Sequence, residues 1–357
     1  MLVELVRSSV VGIRVTVRID ESRKEDAMSA PGKTATGSAV AFGCLLLLCG
    51  GAIKCSAQVS PDQASKAAIF STPLELIHEK PYVSVTVNGR GPFRFLVDTG
   101  TGGEALVSPE LADELALPVV GHARLVDPSG QGEQRSDIRE IRSLQIGGAE
   151  FNGIKAIRHR LYGEGVNCQG VLGFTLFKNY LLTLDFPGHR LVLAVGAIDP
   201  DGGDSVLPFR MPDGVPIMPL RIAGQRLEAQ IDSGGTGLSL PETVAAKLKF
   251  QATPVAFSNG ESLATRFQIK AARLRPDVRF GGYAFKQAFV EINPAFPLVN
   301  FGSTPLQRFV VTFDQRRLLV RFESTQKMLH LDASPTTMQL LNEPKRETSD
   351  RGLVPVG

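Results

Sequence analysis

Two aspartates in this chain follow strand-like segments and precede a small hydroxyl residue and a glycine. Asp98 lies in the stretch LVDTG and Asp232 lies in QIDSG. An isolated carboxylate at the end of a buried strand is costly to bury, so such a residue needs a partner. Two carboxylates that lie close together cannot both ionise and therefore share a proton. One can then act as a general base toward a bound water while the other acts as a general acid.

The surroundings of the two aspartates repeat along the chain. Residues 81–115 and 215–248 each contain an alternating strand, a glycine turn, a second strand ending in Asp, and a short helical pattern. Each copy continues to a glycine-containing segment, VLG at 171–173 or NFG at 300–302, which lies 75 or 70 residues after the Asp. A single such Asp would be interpreted as a turn-former at a strand end. The repeat instead indicates two similar halves whose equivalent loops bring the aspartates together.

The elements around these motifs are short, β-rich and punctuated by Gly and Pro, which predicts an all-β fold with short helices. Brief helical patterns occur at PELADEL, TLFKNYL and PETVAAKL. The chain is predicted to contain an N-terminal extension with a signal peptide over residues 1–57, an N-terminal lobe with DTG over 72–200, a C-terminal lobe with DSG over 205–330, and a flexible tail over 333–357.

An apolar run near the N-terminus predicts export. Residues 39–53 are apolar throughout, and this run is shorter than the roughly 20 residues that a membrane-spanning helix needs. Lys33 precedes the run and the small residues of Cys55–Ala57 follow it, as in a cleaved secretory signal peptide. We expect a periplasmic or secreted protein that begins near Gln58. If Met28 is the initiator, the segments of this signal peptide have normal lengths, and residues 1–27 are a mis-called start or an extension. An uncleaved N-terminal anchor is the alternative.

Composition argues against several classes of function. The formal net charge is +3 and the basic residues are scattered, which argues against nucleic-acid binding. None of the five histidines is paired at metal-ligand spacing, so no metal site is expected. Gly100 to Ala105 fits a dinucleotide fingerprint, but neither a helix start nor an acidic residue about 20 positions on follows it. Three of the four cysteines lie in or beside the signal, so the mature chain would keep Cys168 and form no disulfide.

At the two Asp motifs the chain resembles the aspartic proteases of the pepsin and retropepsin type. LVDTG and QIDSG match the family's catalytic motif, and VLG and NFG match its later glycine element, so the resemblance spans residues 72–330. It implies a bilobal pepsin-like fold, with two pseudo-symmetric β-barrel-like lobes around a central cleft. It also implies an aspartic endopeptidase that acts on peptide or protein substrates through Asp98 and Asp232. We expect a monomer that needs neither a cofactor nor a metal.

The resemblance further implies roles for the neighbours of the two aspartates. In the family, the hydroxyl residue after each Asp hydrogen-bonds across the axis between the lobes, and Thr99 and Ser233 match those positions. Gly100 and Gly234 allow the backbone to turn tightly and to bring its N–H toward the carboxylate. Thr101 matches the family's usual hydroxyl beside the first Asp.

Around the second Asp the chain departs from the family pattern. Gly235 stands at the position that Thr101 holds in the first copy, which removes a hydroxyl beside Asp232. Gln230 and Asn300 are polar where the family usually has apolar residues. These departures leave open a second class of function, in which the same two-lobed cleft binds an extended peptide without cutting it.

The flap of the pepsin-type enzymes has no clear match, because residues 123–135 contain no Tyr. The turn PSGQG supplies Pro128, Ser129 and Gly130 as flap candidates. The stretch SNG at 258–260 is the predicted counterpart turn in the second copy. A plain surface hairpin is the alternative in both places.

Overall fold

Short segments with alternating apolar residues form β-strands through most of the molecule. The computed structural model of the chain describes residues 8–10, 69–126, 133–161, 166–261 and 266–333. Within those ranges, strands dominate and the α-helices are three short segments. The predicted all-β class with short helices is therefore confirmed.

The elements up to residue 194 are, in chain order, β1 (Ser8–Val10), β2 (Ile69–Pro73), β3 (Glu75–Ile77), β4 (Lys80–Val87), β5 (Arg90–Asp98), β6 (Ala105–Val107), α1 (Pro109–Glu114), β7 (Val119–Val126), β8 (Glu133–Ile146), β9 (Ala149–Arg158), β10 (Gly170–Gly173), β11 (Leu181–Asp185) and β12 (Arg190–Ala194).

The elements that follow are β13 (Val206–Pro208), β14 (Ile217–Ile222), β15 (Gln225–Ile231), β16 (Leu238–Leu240), α2 (Glu242–Ala245), β17 (Val255–Glu261), β18 (Arg266–Arg273), β19 (Val278–Phe280), β20 (Tyr283–Lys286), β21 (Phe289–Ile292), β22 (Val299–Phe301), α3 (Ser303–Leu306), β23 (Val310–Asp314), β24 (Leu319–Glu323) and β25 (Met328–His330).

The helices form where local signals start them. In α1, the Ser108 side chain accepts a hydrogen bond from the Leu111 N–H, and Pro109 occupies the first turn, which is a favoured N-terminal arrangement. The helical patterns PELADEL and PETVAAKL correspond to α1 and α2, whereas TLFKNYL forms only a 3₁₀ turn at Phe174–Phe177. The helix α3 was not predicted.

Each lobe is organised around one sheet, and the two sheets share a central pattern. The first has the order β3-β4-β5-β10-β6-β9-β8-β7, and the second has the order β1-β17-β18-β21-β16-β22-β15-β14-β19-β20-β25. In the first lobe, β10 lies parallel to β5 and antiparallel to β6. In the second lobe, β22 lies parallel to β15 and antiparallel to β16. This equivalence places the segments that end in Asp98 and Ile231 at corresponding positions.

A third sheet joins the two halves of the chain. Its order is β13-β24-β23-β11-β12-β2, so each half contributes three strands. At its middle, β11 and β23 pair antiparallel with Thr183 opposite Thr312, and the two hydroxyl oxygens lie 2.9 Å apart. The sequence did not predict this sheet. The proposed lobe boundaries at residues 200 and 205 stay a prediction, because the two halves are continuous in hydrogen bonding.

Aromatic side chains connect the shared sheet with both lobes. Phe174, which follows β10, packs its ring 5.1 Å from that of Phe313 on β23. On the other side, Phe322 of β24 packs 5.4 Å from Phe309, which itself packs 5.7 Å from Phe280. All five rings are nearly or fully buried. Burial of such rings supplies much of the apolar free energy that holds the halves together.

Several sequence predictions fall elsewhere. The stretch Ser258–Gly260 lies inside strand β17 and pairs with β18, so its prediction as a turn was wrong. Residues 127–132, which connect β7 and β8 and include the flap candidates, lie outside the described residues, as do residues 11–68 and 334–357. Among the helices that the structure describes, none is long and apolar enough to cross a membrane.

Candidate active site

Asp98 and Asp232 meet where the two lobes contact each other. Asp98 is the last residue of β5, and Asp232 directly follows β15. A side chain at Gly100 would collide with the Asp232 carboxylate, and one at Gly234 would collide with that of Asp98. Each loop therefore needs glycine because the carboxylate of the other lobe lies against its backbone. Asp98 is 8% exposed and Asp232 is fully buried, so solvent reaches the pair on the Asp98 side.

The residues after the two aspartates brace the loops symmetrically. The Thr99 N–H donates to Ser233 Oγ at 3.0 Å, and the Ser233 N–H donates to Thr99 Oγ1 at 3.0 Å. Each hydroxyl also donates to a carbonyl of the opposite lobe, Thr99 to Ile231 at 2.8 Å and Ser233 to Val97 at 2.7 Å. These four hydrogen bonds are buried, so breaking one would leave polar groups without water.

Asp98 accepts hydrogen bonds from its own loop. The Gly100 N–H donates to Oδ1 at 2.8 Å and the Thr101 hydroxyl donates to Oδ2 at 2.8 Å. Burial, followed by the charge of Asp232, raises the pKa of Asp98 from 3.8 to about 7, and a hydrogen bond between the two carboxyl groups adds to the increase. The donors from Thr101 and Gly100 oppose this shift. At mildly acidic pH, Asp98 therefore holds a proton beside Asp232.

Asp232 is surrounded by three donors. The N–H groups of Gly234 and Gly235 donate to Oδ1 at 3.0 and 2.8 Å. The side-chain amide of Asn300, from the neighbouring strand β22, donates to Oδ2 at 2.6 Å. Because N–H groups donate only, all three hydrogen bonds use Asp232 as an acceptor.

The polar residue before Asp232 also contacts the other loop. Gln230, on β15, lies opposite Asn300 on β22 in the strand register. Its Nε2 donates to the Gly100 carbonyl at 3.2 Å, which links the second lobe to the loop that carries Asp98. In the first lobe the equivalent pair is Leu96 opposite Val171, which is apolar. Two apolar positions of one lobe are thus replaced by two hydrogen-bonding positions in the other.

The glycine elements at the ends of β10 and β22 pass behind the loops. The Gly173 N–H donates to Glu104 O and the Gly302 N–H donates to Gly237 O, both at 2.9 Å. The Asp232 N–H in turn donates to the Phe301 carbonyl at 3.0 Å. A side chain at Gly302 would strike the backbone of Thr236 and Gly237, so the glycine is required for this close approach.

The structure brings together seven of the residues that the sequence analysis singled out, namely Asp98, Thr99, Gly100, Thr101, Asp232, Ser233 and Gly234. The flap candidates Pro128, Ser129 and Gly130 lie outside the described residues. Sequence reasoning noted Gln230 and Asn300 only as departures, whereas both hydrogen-bond the site. The signal that could have found them is the repeat, which aligns Gln230 with Leu96 and Asn300 with Val171, so that two apolar residues of the first copy are polar in the second.

Among the described residues, no group of three or more His, Cys, Asp or Glu side chains is arranged to hold a metal ion. The donors around the carboxylates are backbone N–H, hydroxyl and amide groups, which do not ligate a metal in that orientation. The arrangement is instead that of a carboxylic acid and a carboxylate sharing a proton. Such a pair can remove a proton from water and supply one to an acceptor.

Comparison with known families identifies the first lobe. Residues 83–176 match a family model described as aspartyl protease, and this segment contains Asp98 with both strands that flank its loop. No curated protein matches the chain significantly. The second lobe repeats the strand pattern of the matched segment around Asp232. The match over residues 83–176 and the two-lobed β fold support an aspartic protease family assignment for the chain.

Proposed function

We propose that the protein is an aspartic endopeptidase that hydrolyses peptide bonds with a water molecule activated between Asp98 and Asp232. The family match supports a protease-type function for the chain. The observation that carries the finer proposal is the asymmetric pair, in which a carboxyl with a pKa of about 7 lies against a carboxylate held by three N–H donors. A pair in that state contains both an acid and a base at the same pH.

In the proposed reaction, the Asp232 carboxylate takes a proton from water as the oxygen attacks the scissile carbonyl carbon. Asp98 gives its proton to the carbonyl oxygen, and the product of this step is a neutral tetrahedral diol. Asp232 then passes its proton to the amide nitrogen, the C–N bond breaks, and Asp98 recovers a proton from the diol. The products are a carboxylic acid and an amine, and both aspartates return to their starting states.

Rigid placement of the two carboxylates supports the same proposal. The Thr99–Ser233 brace and the Gln230 contact fix both loops from the opposite lobe. Preorganised donors need little rearrangement during reaction, which is the main way an enzyme stabilises charge in a transition state. The three departures from the family pattern, at Gln230, Gly235 and Asn300, left a peptide-binding module as the alternative. Each of these residues donates a hydrogen bond within the site, which favours the enzyme.

A peptide-library digest tests the proposal. The full chain is incubated with the library at a series of acidic to neutral pH values, with and without a statine-type transition-state analogue. The proposal expects internal cleavages that the analogue suppresses. Binding of the analogue without any cleavage, while Asp98→Asn abolishes that binding, would instead indicate a binding module on the same fold.

A further inference from the structure

We infer that Asn300 is a positioning residue of the aspartate pair. Its amide replaces the hydroxyl missing at Gly235 and holds Asp232 Oδ2 as a hydrogen-bond acceptor, which leaves the shared proton on Asp98. This inference deepens the proposed function and rests on it for its catalytic consequence. The structural part, a donor matched to an ionised Asp232, is independent of whether a peptide is cut.

The geometry of Asn300 allows one amide orientation. The residue is 3% exposed, and its Nδ2 lies 2.6 Å from Asp232 Oδ2. Its Oδ1 is buried without a hydrogen-bond partner among the described residues. Exchanging the amide atoms would place this oxygen against Asp232 Oδ2, which is repulsive when that oxygen carries no proton. The bond to Asp232 therefore fixes the amide even though one of its atoms stays unsatisfied, a cost that a merely packed residue would not need to bear.

Asn300 and Gly235 are sterically matched. A Cβ atom at Gly235 would lie 2.9 Å from Asn300 Nδ2 and 2.8 Å from Asp232 Oδ2, closer than real contacts allow. A side chain at position 235 and the amide of Asn300 thus compete for the same space beside Asp232. The first lobe shows the alternative arrangement, in which Thr101 supplies the donor to Asp98 and Val171 stands at the position equivalent to Asn300.

The Thr101 donor of the first lobe and the Asn300 donor of the second lobe differ in chemistry. A hydroxyl both donates and accepts, so Thr101 can donate to an ionised Asp98 and can accept from a protonated one. The Asn300 nitrogen donates only, so it contributes its hydrogen bond when Asp232 Oδ2 carries no proton. The lobes therefore differ in the protonation state that they tolerate. This difference assigns the base to Asp232 and the acid to Asp98 at the start of the reaction.

Few other titratable groups act on the pair. From the first lobe, Asp98 faces Asp232, and the charge acting on Asp98 among the described residues is that of Asp232. From the second lobe, Glu291 on β21 lies against Gly237 and accepts a hydrogen bond from Ser239 at 2.9 Å. The charges that act on Glu291 are those of Glu79 and Lys80, so this group belongs to a separate cluster.

Three variants test the inference. Asn300→Val copies the apolar residue of the first lobe and removes the donor. Gly235→Thr with Asn300→Val copies the first-lobe residue types, and the Asp232 carboxylate must shift slightly to admit the new Cβ atom. Val171→Ala is the matched control, because it reduces packing at the equivalent position of the first lobe without touching a hydrogen bond of the pair. For each, the midpoint of thermal unfolding and the pH profile of peptide cleavage are measured between pH 3 and 8.

Loss of a donor to a carboxylate should matter only where that carboxylate is ionised. We expect Asn300→Val to lower the unfolding midpoint near neutral pH, with a difference from wild type that shrinks toward pH 3. In the pH profile of peptide cleavage by this variant, the acidic limb should move to higher pH by about one unit, and the alkaline limb should move less. Val171→Ala should lower the midpoint by a similar amount at every pH and leave both limbs in place. The double variant should recover most of the acidic-limb shift.

Other outcomes would overturn the inference. A midpoint loss for Asn300→Val that is the same at pH 3 and pH 7, together with an unmoved acidic limb, would reduce Asn300 to a packing residue. If wild type cuts no peptide, the proposed function fails, but the pH dependence of the midpoint still tests the pairing with Asp232. If the double variant does not fold, the comparison of Asn300→Val with Val171→Ala decides the question.

Discussion

Thr99 and Ser233 exchange two hydrogen bonds between the lobes, with each backbone N–H donating to the hydroxyl of the other residue at 3.0 Å. Their hydroxyls then donate onward to Ile231 and Val97. The loops that carry the aspartates are thus fixed by the opposite lobe as well as by their own. Stability of the lobe contact and placement of the pair therefore depend on the same atoms.

Removing one of these hydroxyl groups should destabilise the protein by more than the loss of a few packed atoms would. Thr99→Val keeps the shape but leaves the buried Ser233 N–H without an acceptor, and we expect a loss of about 3 kcal/mol. Thr99→Ser keeps the hydroxyl and should cost about 1 kcal/mol, for the lost methyl group. Urea unfolding of both variants checks this. Equal losses for the two would show that the methyl group, not the brace, supports the loop.

The raised pKa of Asp98 makes the stability of the protein depend on pH. Asp98 keeps its proton in the folded state up to a pKa of about 7, whereas the unfolded carboxyl loses it near 3.8. The folded state therefore binds more protons in this window, and stability falls as the pH rises through it. The Asp98→Asn side chain is neutral at every pH, so this variant should not lose stability in the same way. Near neutral pH its free energy of unfolding should exceed that of wild type by at most about 4 kcal/mol.

Unfolding free energies at pH 4 and pH 7.5 measure this effect, with Asp201→Asn as the control at an exposed aspartate. The difference between Asp98→Asn and wild type should grow with pH, while the control stays close to wild type at both values. A gain for Asp98→Asn that is equal at the two pH values would mean that Asp98 is ionised throughout, contrary to the acid role proposed for it.

The aspartate pair could be predicted from the sequence because the same motif occurs twice, once around each aspartate. Asp98, Asp232 and their hydroxyl and glycine neighbours lie in short motifs whose spacing alone indicates equivalent loops. The strand register that sets Gln230 opposite Asn300 is a long-range feature, so the sequence alone presented both residues as departures. The sheet shared by the halves was missed for the same reason, because β11 pairs with β23 across a separation of 129 residues between Thr183 and Thr312.

We propose that the protein is exported, on the basis of the apolar run at residues 39–53 and the small residues of Cys55–Ala57. Expression in a Gram-negative host, followed by mass analysis of the N-terminus, should find a mature chain that begins near Gln58. Replacing two leucines of Leu45–Leu48 with Arg should block processing and keep the precursor inside the cell. A membrane-bound product that retains Met28 or Met1 would indicate an uncleaved anchor instead.

The most direct test of the account is turnover of a cleavable peptide by Asp98→Asn, Asp232→Asn and the double variant, with folding checked by circular dichroism. Each single change removes either the acid or the base, so we expect each to lose at least about a hundredfold in turnover. The double variant should be scarcely worse than either, since the pair acts as a unit. If Asp232→Asn keeps near wild-type turnover while Asp98→Asn does not, the two carboxylates do not act as a pair, and the account is contradicted.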